Sequence, residues 1–74
     1  MIQITIHNIT GEASRIVDDI CQILNLKTSV TISFINDELY HYEIFLEDRG
    51  SIVPFMIRFF HRIDNVDYEK IEIM

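Results

Sequence analysis

Glycine and proline are scarce in this chain, two and one among 74 residues, while 49% of the residues are hydrophobic. That composition excludes a disordered or low-complexity segment. A single cysteine, Cys21, excludes a disulfide within the chain. Basic residues are few, with 6 Lys and Arg against 12 Asp and Glu and a formal net charge of -6. Such an acid excess argues against binding nucleic acid or an anionic membrane through bulk charge. No apolar run approaches the roughly 20 residues of a membrane span. The first residues alternate instead of forming a basic and then apolar signal region. The expectation is a cytoplasmic protein with no membrane and no nucleic-acid partner.

What is present is enough for one domain spanning residues 1–74, with no linker, repeat or compositional break inside it. A chain this short buries only about 60% of the surface its unfolded form exposes. Self-association is therefore the expected source of extra stability.

The apolar pattern changes period along the chain. Ile2, Ile4 and Ile6 alternate with Gln3, Thr5 and His7, which predicts a strand with one buried face. After the interruption Asn8-Ile9-Thr10-Gly11, Ala13, Ile16, Val17, Ile20, Ile23 and Leu24 recur at helical steps and define one apolar stripe. Thr10 or Gly11 can cap that helix, Glu12 suits its positive end, and the helix should fade near Asn25. Val30–Phe34 reads as a second strand and Tyr40–Glu47 as a third, joined by turn chemistry at Asn36-Asp37-Glu38. Tyr68–Met74 reads as the last strand, with Ile71 and Ile73 alternating with Lys70 and Glu72.

The stretch Ile52–Ile63 admits two readings. As a strand it would place Val53, Phe55, Ile57 and Phe59 on one face, and its aromatic and β-branched content suits that. As a helix it aligns Ile52, Phe55, Met56, Phe59, Phe60 and Ile63. Twelve residues exceed a usual strand of about 5 to 6. Pro54 is harmless in a first helical turn but removes a ladder bond in mid-strand, and Ser51 is a suitable N-cap. Arg58, His61 and Arg62 would sit toward the end of the helix that favours positive charge. Helix is the better assignment.

The element order is then strand, helix, strand, strand, helix, strand. The predicted fold class is α+β, a ferredoxin-like βαββαβ sandwich in which a four-stranded antiparallel sheet carries two helices on one face. Right-handed crossovers are expected to place the first and last strands at the sheet centre. The uncovered sheet face should present Tyr40, Tyr42 or Phe45, depending on register. An exposed apolar face of that size is a pairing surface, so a homodimer is expected.

Sites of chemistry are sparse. His7, His41 and His61 show no metal spacing, and no phosphate loop, nucleophile elbow or Cys-x-x-Cys pair appears. Cys21 lies beside the apolar helix stripe as a small apolar residue. The adjacent acids Asp18-Asp19, Asp37-Glu38 and Glu47-Asp48 sit on a helix's polar face and in turns, where solvated surface is expected. No catalysis, no metal and no cofactor are expected. Phe55, Met56, Phe59 and Phe60 are core and subunit-interface candidates, or the lining of a groove for a partner.

Two stretches resemble the ACT domain, a small regulatory module attached to many amino-acid-metabolic enzymes and to the stringent-response synthetases. Residues Ile4 to Ile16, with Asn8-x-x-Gly11, resemble its opening strand, turn and helix entry. Residues Phe59 to Ile73, with Ile63-x-x-Val66, resemble its second helix, turn and final strand. The family often has a Pro where this chain has Thr10, and a larger apolar residue where it has Ala13. The resemblance implies a regulatory domain that binds an amino acid across a dimer interface, and possession of a partner enzyme. It assigns the ligand to Asn8, Thr10, Gly11 and Glu12. Chemically, Gly11 permits positive φ and close approach, helix-start amides can receive a carboxylate, and Glu12 or Asn8 can hold an ammonium group. Without a ligand, the same Asn-x-x-Gly is simply a turn followed by a helix cap.

A second resemblance follows if Ile52–Ile63 is a strand. The order is then similar to the uracil-DNA glycosylase inhibitors, acidic phage-type proteins that mimic DNA, and the acid excess fits. Those inhibitors have an acidic strand end, where this chain has His7-Asn8.

Overall fold

The computed structural model describes residues 2–26, 30–47 and 49–74. Four strands and two helices follow one another as β1 (Ile2–Thr10), α1 (Gly11–Ile23), β2 (Val30–Phe34), β3 (Leu39–Leu46), α2 (Ile52–Arg62) and β4 (Lys70–Ile73). A three-residue 3-10 turn, Arg49–Ser51, leads into α2. The strands form one antiparallel sheet in the order β2-β3-β1-β4. The first strand is thus central, as expected, but its central neighbour is β3, and the last strand lies at an edge. The reason is physical: β1 and β3 are the longest strands and supply Ile4, Ile6, Ile9, Tyr42, Ile44 and Leu46, all buried. Each crossover helix skips one strand, which leaves the short strands β2 and β4 outside.

Ile52–Ile63 is helical up to Arg62, so the strand order that resembled the glycosylase inhibitors does not form. Phe55 and Phe59, stacked 6.0 Å apart, enter the core, and Phe59 meets Tyr68 edge-on at 5.3 Å. Ser51 does not cap α2 with its side chain. It has helical backbone angles because the 3-10 turn already winds the chain before Ile52. On α1, Ala13, Ser14, Val17, Ile20 and Cys21 are buried, while Ile23 is exposed. The buried face is therefore rotated from the stripe read off the sequence, with Ser14 and Cys21 inside in place of Ile23. The Ser14 hydroxyl is satisfied by donating to the Gly11 carbonyl at 2.8 Å.

Register settles which side chains face the helices. Ile4 pairs with Ile44 and Ile73, and Ile6 with Tyr42 and Ile71, so these residues share the core side. Tyr42 is buried there, and Tyr40 packs against the same core. The opposite face carries Gln3, Thr5, His7, Thr31, Ser33, His41, Glu43, Lys70 and Glu72, with Phe45 among them. The expected apolar outer face is thus a polar one, because the β3 tyrosines point inward.

Two asparagines occupy the left-handed backbone region. Asn25, with φ 59, closes α1: its amide bonds to the Gln22 carbonyl and that of Leu26 to the Cys21 carbonyl, a Schellman ending. Asn8, with φ 52, lies where the β1–β3 register shifts between Ile6 and Ile9. One extra residue in β1 is absorbed there as a bulge.

Phe59→Ala should cost about 3–5 kcal/mol, enough to unfold a domain this small, as read by urea denaturation. Asn25→Gly should stabilise by up to about 1 kcal/mol, since glycine meets no steric penalty at positive φ. Asn8→Val should cost about 1–3 kcal/mol in the same assay.

Candidate functional site

The corner where β1 passes into α1 holds the residues singled out as ligand contacts, and Asn8, Thr10 and Gly11 each have a structural task. Asn8 Nδ2 donates to Glu69 Oε2 at 2.6 Å, which ties the bulge to the residue preceding β4. The Thr10 hydroxyl accepts from the Ala13 amide at 3.3 Å and so caps α1, while its own amide donates to the Asp67 carbonyl. Gly11 opens the helix without a positive φ, and its amide donates to the Glu38 carbonyl at 3.2 Å. The left-handed residue of the turn is therefore Asn8, not Gly11. An added Cβ on Gly11 would meet only Tyr40 Cε2, at an ordinary 3.5 Å.

Beside this corner lies an open depression of about 430 Å³ lined by Gly11, Glu12, Ser14, Arg15 and Tyr40. Two of the four expected contacts, Gly11 and Glu12, line it. Asn8 is bonded toward Glu69, and Thr10 is occupied as the cap. Arg15 and Tyr40 were not expected in a site. Arg15 follows Glu12 by three residues and so shares its side of the helix, a spacing legible in the sequence. Tyr40 comes from β3, opposite Ile9, and only the sheet register brings it there.

A groove of about 370 Å³ runs between α1 and β2, lined by Asp18, Cys21, Gln22, Val30 and Ile32. The Tyr42 hydroxyl, at the base of α1, lies 3.0 Å from Asp18 Oδ1 and 3.3 Å from the Ser14 carbonyl, with its one proton shared between them. Burial, with the Asp18 charge beside it, holds this phenol protonated well above its usual range. Burial and the same carboxylate push the Cys21 thiol up to about 12. A nucleophile needs the opposite shift, so Cys21 serves as a small core residue.

On the polar outer face, His7 and His41 meet edge-on, 5.0 Å between ring centres. His7 Nε2 is 2.6 Å from Glu72 Oε1, His41 Nε2 is 3.3 Å from Glu43 Oε1, and Lys70 Nζ is 3.5 Å from Glu72. The hydrogen bond from His7, reinforced by Lys70, holds the Glu72 carboxyl below its ordinary value. No cluster of His, Cys, Asp or Glu suited to a metal ion occurs among the described residues.

No protein-family model matches the chain, and no curated protein or solved structure matches it at a significant level. No helix among the described residues is long and apolar enough to cross a membrane. Asp48, in one of the acid pairs, lies outside the described residues.

Thr10→Ala should cost about 1 kcal/mol through the lost cap, and Gly11→Ala should be neutral or slightly stabilising in thermal melts. A thiol reagent at pH 8 should leave Cys21 untouched until the protein unfolds. Because the Glu72 pKa is lowered in the folded state, its contribution is present above the ordinary value of 4.5 and is lost as pH falls through the folded value. A Glu72→Gln variant should therefore melt lower than the parent at neutral pH and converge on it in acid, with a difference that shrinks in salt.

Proposed function

We propose that this chain is a non-catalytic regulatory module that works as a pair of copies joined along β2. The one observation that carries the reading is the state of that strand. Val30–Phe34 has no charged residue and no proline, and it lies at a sheet edge. Val30 packs against the core, but the next two helix-facing side chains are left open: Ile32 is 47% exposed and Phe34 75%. An edge of unpaired backbone groups with exposed apolar side chains is a template for another strand. Antiparallel pairing with the β2 of a second copy would continue the sheet, and it would bring two apolar grooves together under the two α1 helices.

The strand order, with central β1 and β3, is compatible with a ferredoxin-like sandwich, and this supports the ACT-like reading of the fold. In that reading the depression at the start of α1 is the ligand site. Arg15 there supplies a cation and Glu12 an anion, complementary to the carboxylate and ammonium of an amino acid. Asn8 and Thr10 shape the corner, and Gly11 keeps its floor low. A ligand bound there acts on a partner enzyme by favouring one arrangement of the pair, to the extent that its affinity differs between arrangements. The inhibitor alternative retains the acid excess as support but lacks its strand order.

Light scattering should report a dimer that dissociates on dilution. Phe34→Glu should give a monomer with an unchanged circular dichroism spectrum, whereas a wild-type monomer at every concentration would overturn the pairing. Calorimetric titration with the twenty amino acids should show binding by at least one, weakened tenfold or more by Arg15→Gln or Glu12→Gln. A flat response to all twenty leaves pairing alone as the function.

A further inference from the structure

Backbone hydrogen bonding on β2 restricts how a second strand can meet it. The Ile35 amide donates to the Leu39 carbonyl at 3.0 Å, in step with the register that sets Phe34 opposite Tyr40 and Ile32 opposite Tyr42. Bonded and non-bonded pairs alternate along an antiparallel ladder, so Thr31 and Ser33 turn their N–H and C=O groups toward β3. Val30, Ile32 and Phe34 turn theirs to the open edge. Their side chains stand on the helix side, opposite Ile44, Tyr42 and Tyr40. The free hydrogen-bonding groups of the edge and its apolar side chains therefore belong to the same residues.

A two-fold pair of β2 strands can be centred in few ways. Centred on Ile32, it sets Ile32 against Ile32 and Val30 against Phe34, and every outward N–H and C=O of Val30–Phe34 finds a partner. Centred on Thr31 or Ser33, it leaves Phe34 or Val30 without a strand partner. The first register also pairs hydroxyl with hydroxyl, Thr31 with Ser33, on the outer face, and a β-branched side chain with an aromatic one on the helix side. The strand carries no charge, so no like charges oppose each other along the seam.

Val30 and Ile32 are also one wall of the groove of about 370 Å³ whose other wall is Asp18, Cys21 and Gln22 of α1. In its own copy the Phe34 ring leans on Tyr40 at 4.9 Å and is otherwise largely exposed. Opposite residues of a bonded pair stand about 5.5 Å apart at Cα. That spacing brings the Phe34 ring beside Val30 of the second copy, at the mouth of its groove.

We propose that Phe34 of each copy occupies the α1–β2 groove of the other, in a pair centred on Ile32. The inference rests on the β2 pairing proposed above and adds its register and its anchoring side chain.

Cysteine cross-linking tests the register. Thr31 and Ser33 of opposite copies would form a non-bonded pair, about 4.5 Å apart at Cα and within reach of a disulfide. Under mild oxidation an equal mixture of Thr31→Cys and Ser33→Cys should cross-link, and either variant alone should give at most a tenth as much. In a mixture of isotope-labelled and unlabelled protein, filtered NMR spectra should show Phe34 ring protons of one copy in contact with Val30 methyls of the other. Phe34→Ala, at an exposed position, should raise the dimer dissociation constant at least fivefold with an unchanged circular dichroism spectrum. Efficient cross-linking of either cysteine variant alone, a dimer without the Phe34–Val30 contacts, or a smaller effect of Phe34→Ala would overturn this inference and leave the pairing standing. A wild-type monomer at every concentration would overturn both.

Discussion

The structure depends on one slab of apolar contact, in which Phe55 and Phe59 of α2 and Val17 and Ile20 of α1 lie over the inward side chains of β1 and β3. Among the described residues 13 hydrophobic side chains are buried, and those on the sheet all belong to the two central strands. In so small a domain this slab cannot widen to cover four strands, because each added strand needs helical surface the chain does not have. The sheet centre is consequently dry and the edges are not. Ile32 and Phe34 on β2, and Ile73 on β4, point to the helix side yet remain exposed.

From this follows a division of surface. The face of the sheet away from the helices is polar and self-satisfied. Gln3 donates to Thr5 at 3.0 Å, and the two histidines are held between Glu43 and Glu72. Among the described residues, no buried side-chain nitrogen or oxygen lacks a partner. The unsatisfied surface is apolar and lies on the flanks, at β2 and on the outward side of α2. The surface is thus divided between exposed apolar flanks and a polar outer face, while burial on the helix side keeps the Cys21 thiol and the Tyr42 phenol protonated.

The helix-entry corner shows how structural and binding duties overlap. Thr10 and Gly11 use their hydrogen-bonding groups to begin α1, and Asn8 uses its side chain to hold the approach to β4. The depression beside them is faced by Glu12, in the first turn of the helix, and by Arg15 three residues on, near Tyr40. Three of the four residues read as ligand contacts thus also support the fold, while Glu12, the fourth, lines the depression beside Arg15.

Element type was legible in the chain because it depends on short-range periodicity: isoleucines at every second residue of β1, apolar residues at helical steps in α1, and Pro54 near the start of α2. Val30–Phe34 and the Asn36 turn formed as read, and Thr10 capped α1 as its side chain allows. Which strand sits at the centre, which way Tyr42 points and which flank of α2 stays bare were not legible. A pattern of period two gives two faces without saying which is inner, and one residue of bulge at Asn8 resets the count. The local sequence by itself determined helix, strand and turn through backbone sterics and apolar spacing. Only the tertiary structure decided strand order, the polarity of the outer face and the two exposed apolar flanks, because these depend on which surfaces a limited core can reach.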